Sequence, residues 1–402
     1  MLKVVVQKFG GTSVASPEGR RQVAERVRAA LERGLNPVLV LSAMGRSPEP
    51  YATDSLLELV KPFSAHADTR ELDLLMGCGE IISCVLMSHY LRSLGYRSSA
   101  LDAYGAGIRA DGRHGDARIV SIDPRLMLAL VSNGGIPVVA GFQGVNQDNS
   151  LTTLGRGGSD TTAVAVGAAL RAHYVEIYTD VDGVMTADPR VLPEAQILSE
   201  INFEEMGELA GEGAKVVHPR AVELADDHGI PLWIKNTFGD FYGTYLSRAV
   251  PKDSYERTRI ITGLAHVLGL SQVVIEVTQP ADKARCLDRL AGEGVNLDLI
   301  NVTTDRLYCI VRSEPFEQTA RQVLESLGLE FAIRSNCAKL SVVGAGMRGT
   351  PGVMARVYGC LIEAGVDVLH STDSNITISF LIPAAQISSA VAALHSRFIA
   401  CT

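Results

Sequence analysis

A lysine followed by two glycines stands directly after an apolar run near the start of the chain. The string is Lys8-Phe9-Gly10-Gly11-Thr12-Ser13, and the run before it is typical of a β-strand. Paired glycines let the backbone approach an anion closely, and the lysine supplies a point charge. The string is not a Walker A loop. A plain turn at the end of a strand is the alternative interpretation.

A second glycine-rich string, Gly155-Arg156-Gly157-Gly158-Ser159-Asp160-Thr161-Thr162, leads into a run of small residues that predicts a closely packed helix. A glycine-rich loop before a helix N-terminus is a typical anion site. Arg156 can bind a carboxylate through two parallel hydrogen bonds, which a lysine cannot do. Simple helix capping by Ser159 and Asp160 remains the alternative.

The third string covers residues 179–190 and reads TDVDGVMTADPR. It begins where a predicted strand ends, and open α/β sheets bind ligands at such positions. Its aspartates and Arg190 are suited to a ribose, a phosphate or Mg²⁺. Three aspartates in one loop are also common turn formers, so the string by itself leaves both interpretations open.

The elements that must position these strings alternate between short β-branched runs and amphipathic segments, as in a largely parallel sheet covered on both faces. The first helix is predicted from Ser16 as N-cap and Pro17 at its first position to a stop at Gly34. The predicted strands are Val4 to Phe9, Pro37 to Ser42, Ser98 to Tyr104, Ile136 to Phe142, Val175 to Thr179 and Leu232 to Lys235.

Two smaller units are predicted after a polar stretch near residues 248–262, which suits a linker. Sliding the chain by 71 positions aligns Leu290 with Leu361 and Gly294 with Gly365. Each copy reads strand, helix, strand, strand, helix, which indicates a split βαβ arrangement of the ferredoxin type.

Composition excludes several classes of function. The net charge of -8 without a basic tract argues against nucleic acid and acidic membranes as partners. No apolar stretch reaches the length of a membrane span, and the first residues do not read as a signal peptide, so we expect a cytoplasmic protein. The cysteines lack metal-type spacing and are expected to be reduced thiols; they are Cys78, Cys84, Cys286, Cys309, Cys337, Cys360 and Cys401.

Taken in order, the strings resemble the aspartate kinase family of the amino-acid kinase superfamily. The matching segments are KFGGTSV at 8–14, GRGGSDTTA at 155–163, TDVDGVMTADPR at 179–190 and GAKVVHP at 213–219. The resemblance implies an α/β fold with a three-layer amino-acid-kinase domain at 1–247 and a linker at 248–262. Two ferredoxin-like βαββαβ ACT regulatory domains would follow at 263–336 and 337–402.

The resemblance also implies a site. Lys8 and Asp160 match the catalytic positions, where the lysine neutralises the transferring phosphoryl group and the aspartate organises it. The implied substrates are L-aspartate and ATP with Mg²⁺, without a protein-held metal. The positions that match substrate contacts are Ser42, Thr53, Glu80, Arg156 and Ser159. Those implied for the nucleotide are Lys8, Phe9, Gly10, Gly11, Gly157, Gly158, Thr179, Asp180, Met185, Arg190, Lys215 and Val216.

For the regulatory half, the resemblance implies feedback by lysine, threonine or diaminopimelate, and a homodimer or larger assembly formed through the ACT repeats. The implied effector positions are Asn296, Asp298, Asn301, Met347, Pro351, Gly352, Val353 and Asp367. Acetylglutamate kinase and a non-catalytic amino-acid sensor are the alternatives. A dehydrogenase is disfavoured, because no G-x-G-x-x-G string follows a strand with an acid about 20 residues later.

Overall fold

The computed structural model describes residues 2–214, 216–248 and 260–400, without the side chains of residues 64 and 65. The chain divides into two compact units. The N-terminal unit consists of Met1–Val184, Ile197–Ala210 and Lys215–Pro251, and the C-terminal unit of Met185–Gln196, Gly211–Ala214 and Lys252–Thr402. Most of the predicted linker, residues 249–259, lies outside the described residues.

Twelve strands among the described residues build two sheets in the N-terminal unit. They are β1 (Val4–Phe9), β2 (Asn36–Leu41), β3 (Ser98–Leu101), β4 (Ile108–Ala110), β5 (Ile119–Ile122), β6 (Ile136–Ala140), β7 (Gln143–Val145), β8 (Leu151–Thr153), β9 (Tyr174–Thr179), β10 (Glu200–Ile201), β11 (Leu232–Asn236) and β12 (Thr244–Leu246). The main sheet has the order β10-β12-β11-β9-β1-β2-β6-β3, and the smaller one β5-β4-β7-β8. Only the pair β11 and β12 is antiparallel in the main sheet, which confirms the largely parallel architecture.

The described part of this unit contains eight α-helices, of which the sequence predicted α2 and α6. They are α1 (Gly11–Ala15), α2 (Pro17–Glu32), α3 (Thr53–Val60), α4 (Thr69–Ser93), α5 (Arg125–Ser132), α6 (Gly158–Leu170), α7 (Phe203–Gly211) and α8 (Pro219–His228). The predicted cap of α2 is confirmed, because the Ser16 side chain accepts a hydrogen bond from the Gly19 amide and Gly34 is left-handed at φ 72°.

All six predicted strands are present, but three of them end earlier than predicted. The strand predicted from Pro37 to Ser42 ends one residue early, at Leu41. The strand from Ser98 stops at Leu101, because Asp102 begins a turn in which its side chain accepts a hydrogen bond from the Gly105 amide at 2.7 Å. The strand from Ile136 stops at Ala140, and Phe142 has φ 67°, a left-handed conformation that does not continue a strand.

Helix α4 spans 25 residues and is long and apolar enough to cross a membrane by length and composition. Its inner face nevertheless carries the buried carboxyl groups of Asp73 and Glu80, and its Cys84, Met87 and Leu91 belong to the apolar core of the N-terminal unit. Buried acids and core contacts are what a central helix of a globular domain shows.

The described part of the C-terminal unit forms one antiparallel sheet of six strands in the order β14-β15-β13-β16-β18-β17. Its elements are β13 (Gly263–Glu276), α9 (Pro280–Gly292), β14 (Asp298–Val302), β15 (Arg306–Arg312), α10 (Phe316–Ser326), β16 (Glu330–Val343), α11 (Val353–Glu363), β17 (His370–Asp373), β18 (Thr377–Pro383) and α12 (Ile387–Phe398). Gly294 and Gly365 follow α9 and α11 with φ 72° and 71°, as the internal repeat predicts.

Two long strands run through both repeats. Residues 270–276 of β13 pair with β15 and with the first half of β16, whereas residues 263–267 pair with the second half of β16. The second repeat therefore receives an edge of its sheet from the segment that precedes the first repeat. The predicted boundary between residues 336 and 337 falls inside β16, and the domain limits remain a prediction.

Candidate functional site

A cavity of about 560 Å³ lies in the N-terminal unit beside the carboxyl ends of β1 and β2. It is lined by the ends of these strands, by the glycine-rich string at 155–158 and by one face of α4. The predicted substrate and catalytic residues all line it; they are Lys8, Ser42, Thr53, Glu80, Arg156, Ser159 and Asp160. Parallel strands collect residues from distant parts of the sequence at one sheet edge, which explains this convergence.

Lys8 and Asp160 form an ion pair inside the cavity. The Lys8 Nζ lies 2.7 Å from Asp160 Oδ1, and both side chains are 12% exposed. Lys8 belongs to the end of β1, while Asp160 lies in the first turn of α6, where the helix dipole favours a negative charge. The backbone amide of His218 points toward Asp160 Oδ2 at 3.4 Å. The ion pair with Asp160 thus fixes the Lys8 ammonium group in the cavity, beside the two glycine-rich strings.

The loop before α6 adopts a conformation that requires glycine. Gly155 and Gly157 are left-handed at φ 71° and 70°, and a Cβ atom at Gly157 would lie 2.1 Å from the His218 ring. The intervening Arg156 is exposed and has neither a hydrogen bond nor an ion pair among the described residues. Its guanidinium is therefore available to an anionic ligand.

Glu80 is the most unusual acid of the cavity. It is only 2% exposed, and its Oε1 accepts a hydrogen bond from the Ala43 amide at 3.1 Å. Its Oε2 is buried without a hydrogen-bond partner. Burial raises the pKa of Glu80 to about 8, although backbone hydrogen bonds act in the opposite direction. An orphaned buried acceptor at the wall of a cavity fits a cationic group of a ligand.

The predicted nucleotide positions are distributed over both units. Gly10 and Gly157 lie in the two loops, and Gly11 and Gly158 begin α1 and α6. Phe9 is fully buried, and its ring stacks on Tyr178 at 4.7 Å. Thr179 is the last residue of β9, and Asp180, which follows it, pairs with Arg46 at 3.1 Å. Val216 is half-buried, and Lys215 lies outside the described residues. Met185 and Arg190 belong to the C-terminal unit, where Arg190 pairs with Asp188 at 2.6 Å.

The predicted effector positions lie in the C-terminal unit. Asn296, Asp298 and Asn301 are exposed in and before β14, and Asp298 pairs with Lys339 at 2.5 Å. In the loop before α11, the side chains of Met347 and Val353 belong to the apolar core, so a ligand there would meet backbone groups. Pro351, Gly352 and Asp367 are exposed, and Asp367 pairs with Gln386.

Sequence reasoning missed the Asp73 carboxylate and its two partners at the cavity, the Gly115 amide and the Thr153 hydroxyl. Asp73 is fully buried two turns before Glu80 on α4, and it binds Gly115 and Thr153, which line the cavity. The available signal was the spacing of seven residues between Asp73 and Glu80, which puts both acids on one helical face. The contacts with residues 115 and 153 had no signal in the local sequence.

The donor set fits a nucleotide that brings its own metal. Among the described residues no group of three His, Cys, Asp or Glu side chains is arranged to hold a metal ion. Mg²⁺ is commonly bound through substrate phosphates with only one or two carboxylates. Lys8, the two glycine loops and the N-terminus of α6 are suited to phosphate, and Asp160 supplies a carboxylate beside Lys8.

Comparisons with known proteins agree with this architecture. The model of the amino acid kinase family matches residues 3–236, and an ACT domain model matches residues 340–398. The chain is 40% identical to aspartokinase 1 of Bacillus subtilis over 403 residues, covering 99% of each chain. It is 39% identical to the aspartokinase of Mycolicibacterium smegmatis over 419 residues, covering 99% of this chain and 96% of the relative.

Solved structures of similar fold cover nearly the whole chain. The aspartate kinase of Clostridium acetobutylicum superimposes with a TM-score of 0.81 at 23% identity, covering 98% of this chain and 100% of the other. The Escherichia coli aspartokinase III in complex with aspartate and ADP gives a TM-score of 0.76 at 24% identity, covering 98% and 99%. At such identities the likeness concerns the fold.

Proposed function

We propose that this chain, which belongs to the aspartokinase family, transfers the γ-phosphoryl group of ATP to the β-carboxylate of L-aspartate, giving 4-phospho-L-aspartate. The observation that carries the proposal is that one cavity contains both an unpaired arginine and a buried glutamate with one oxygen that lacks a hydrogen-bond partner. Arg156 matches an α-carboxylate and Glu80 an α-ammonium. A free amino acid needs both partners, because an unpaired charge in a cavity is costly.

In this proposal the amino acid is held by its α-groups, and its side chain points to the Lys8–Asp160 pair. Arg156 binds the α-carboxylate with two parallel hydrogen bonds, and Glu80 binds the α-ammonium. Ser42, Thr53 and Ser159 line the same cavity and supply further polar contacts. An N-acetylated substrate would leave the buried Glu80 without a cation, which favours a free amino acid.

The proposed chemistry needs no general base. The unperturbed pKa of an aspartate side chain is about 3.9, so the nucleophile is ionised at neutral pH. The protein must hold two anions in line and offset their repulsion, which is a task of positioning and electrostatic stabilisation. Lys8 neutralises charge on the transferring group, and Asp160 orients Lys8. Mg²⁺ bound to the ATP phosphates would neutralise further charge.

We further infer that the C-terminal unit regulates the enzyme. The ACT domain match at 340–398 and the tandem repeat support an amino-acid effector. A solved structure of similar fold, at 24% identity, is the Escherichia coli aspartokinase III in complex with lysine and aspartate in a T-state. For this chain the proposed effectors are lysine, threonine or diaminopimelate, which fits the first step of the pathway to lysine, threonine and methionine.

An assembly through the regulatory repeats and a cytoplasmic location complete the proposal. The edge strand β14 exposes Ile300 and Val302 at 50% and 55%, and exposed apolar edge strands favour pairing with another chain. We therefore propose a homodimer or a larger assembly. The six cysteines among the described residues are free thiols, which agrees with a reducing compartment.

The test is an ADP-release assay with purified full-length protein, ATP and Mg²⁺. We expect turnover with L-aspartate and none above background with N-acetylaspartate, N-acetylglutamate or no acceptor. Turnover with N-acetylglutamate instead would support the acetylglutamate kinase alternative, and effector binding without any turnover would support the sensor. Addition of lysine, threonine, methionine or diaminopimelate to the same assay tests regulation, and a rate unchanged by all of them would overturn the proposed feedback.

A further inference from the structure

Asp73 is a fully buried carboxylate that the proposed chemistry does not use. Its Oδ2 lies 2.6 Å from His114 Nδ1 and accepts a hydrogen bond from the Gly115 amide at 3.2 Å. Its Oδ1 accepts from the Thr153 hydroxyl at 2.5 Å and from the same amide at 3.1 Å. Asp73 is 0% exposed, so it does not touch solvent or a ligand in the cavity. All its contacts lead to other elements of the cavity wall.

The partners of Asp73 are connected to Arg156 from two directions. Thr153 ends β8, three residues before Arg156, and its carbonyl accepts a hydrogen bond from the Ala117 amide. The loop that carries His114 and Gly115 also packs on Gly155, since a Cβ atom there would lie 2.7 Å from Asp116 Oδ1. Holding this loop and β8 together therefore sets the backbone from which the Arg156 side chain extends.

Arg220 of α8 makes hydrogen bonds to residues next to the partners of Asp73. Arg220 Nη1 donates to the Leu154 carbonyl at 3.0 Å and to Asp116 Oδ1 at 3.3 Å. Arg220 thus contacts Leu154 and Asp116, the residues that follow Thr153 and Gly115 in the sequence. The glycine loop itself has the conformational freedom of Gly155 and Gly157, so its position depends on these neighbours.

Helix α4 also carries Glu80, seven residues after Asp73 and on the same face. Seven residues correspond to a rise of about 10.5 Å along a rigid helix. One element therefore holds Glu80 directly and holds Arg156 through residues 114, 115 and 153. Helix α4 therefore sets the distance between the Arg156 guanidinium and the Glu80 carboxylate.

We propose that Asp73 and His114 form a positioning pair that fixes Arg156 relative to Glu80 and thereby makes the cavity selective for acceptors with an α-carboxylate. The inference rests on the proposed function and concerns the recognition of the amino acid rather than phosphoryl transfer. Neither residue of the pair contacts the Lys8–Asp160 centre, so the transfer step itself is left intact when the pair is broken.

The first experiment separates positioning from general structural damage. In the Asp73→Asn and His114→Ala variants we expect KM for aspartate to rise at least about tenfold, with kcat at saturating aspartate within about threefold of the wild type and KM for ATP unchanged. His114→Asn should recover most of the affinity, because its amide nitrogen can donate to Asp73 in place of Nδ1. His89→Asn is the matched control, because His89 is an exposed residue of α4, the helix that carries Asp73, and this variant should behave as the wild type.

The second experiment uses β-alanine, which is aspartate without its α-carboxylate. We expect the wild type to prefer aspartate over β-alanine by about 100-fold in kcat/KM, and the His114→Ala and Asp73→Asn variants to lose most of this preference. Their kcat/KM for β-alanine should stay near the wild-type value. Equal losses with both acceptors would show a merely structural role and overturn the inference.

The two proposals fail in different ways. A wild type that releases no ADP with aspartate overturns the proposed function and this inference with it. An active wild type whose Asp73→Asn and His114→Ala variants keep the normal KM for aspartate overturns the inference alone. If Asp73→Asn does not fold, the comparison of His114→Ala with His114→Asn decides, since both retain the buried carboxylate, and failure of His114→Asn to recover affinity counts against the pair.

Discussion

At the scale of single residues, the charged groups of the cavity differ in how they are held. Lys8 and Asp160 neutralise each other at 2.7 Å, whereas Arg156 has no partner among the described residues and Glu80 keeps one buried oxygen unpaired. A preformed pair is suited to a role that persists through the reaction. Unpaired groups are suited to a ligand that arrives and leaves, so the two sets of residues predict different kinetic effects.

Replacement of Lys8 by methionine tests the preformed pair. Lys8→Met should lower kcat about 100- to 1000-fold and change KM for aspartate and ATP little, because a contact made mainly in the transition state is removed. Steady-state ADP release measures both parameters. Lys3→Met, an exposed lysine beside the same strand, serves as the control. A Lys8→Met enzyme with nearly normal kcat would refute the assignment.

Titration of Glu80 tests the unpaired acid. With a pKa of about 8, its carboxyl group is mostly protonated at pH 6 and ionises as the pH rises toward 8. The ammonium of aspartate binds the ionised form, so KM for aspartate should fall about tenfold per unit between pH 6 and 7 and level off above pH 8.

The control for this pH dependence is Glu80→Gln, which cannot ionise. We expect it to bind aspartate weakly at every pH, without the fall in KM. Calorimetry at pH 7 in two buffers of different ionisation enthalpy should also detect a proton released when aspartate binds the wild type. A KM for aspartate that is independent of pH between 6 and 8 in the wild type would contradict the assignment.

At the scale of elements, the cavity depends on loops that join strands to helices. The loop before α6 turns through Gly155 and Gly157, so that the helix N-terminus and Asp160 meet Lys8. Helix α4 carries Glu80 past Ala43 closely enough that a Cβ atom at Gly79 would lie 2.8 Å from the Ala43 Cβ. These glycines are needed for close approach as much as for backbone freedom.

Alanine substitutions at two left-handed glycines distinguish the need for close approach from the need for backbone freedom. Gly157→Ala places a methyl group against the His218 ring at 2.1 Å, so we expect at least about a 100-fold loss of kcat/KM for aspartate as the loop moves. Gly34→Ala has nearly the same φ and no heavy atom within 4 Å of the new methyl, so only the backbone strain of about 1 kcal/mol should appear. Activity and thermal midpoints compare the two variants, and similar losses in both would contradict the role of close packing.

At the scale of the whole molecule, the two repeats of the C-terminal unit share one continuous sheet. Strands β13 and β16 each run through both repeats, and β13 supplies a strand to each half of the sheet. The two repeats are therefore joined through the backbone hydrogen bonds of these two strands. Under the proposed regulation, this continuity would allow an effector bound to one repeat to act on both.

Lys339 connects distant parts of the C-terminal unit. Its side chain is 6% exposed and lies 2.9 Å from Glu212 Oε2 and 2.5 Å from Asp298 Oδ2. Burial opposes its charge, yet hydrogen bonds to the two carboxylates raise its pKa. Lys339→Met leaves both carboxylates without this partner and should destabilise the unit by roughly 3 kcal/mol.

Thermal and urea unfolding measure this loss. The control is Lys61→Met, which removes the exposed pair with Glu58 and should cost less than about 1 kcal/mol. Equal midpoints for the Lys339→Met variant and the wild type would contradict the stabilising role of the buried cluster. The kinase activity of the N-terminal unit without effector is a separate readout in the same preparations.

The amino-acid sequence by itself determined the strands β1, β2, β6, β9 and β11, the cap of α2 and the internal repeat. These features depend on residue type and short spacing, which are local properties of the chain. Glycine runs after strands, together with Lys8, Arg156 and Asp160, were sufficient to predict an anion site at the carboxyl edge of a parallel sheet.

Only the tertiary structure decided the ionisation of Glu80, the network of Asp73 and the shared sheet of the repeats. Each depends on contacts between residues far apart in the sequence, such as Asp73 with Thr153 and β13 with β16. Burial of a carboxylate and the pairing of long strands are set by what packs around them, and no local pattern specifies those neighbours.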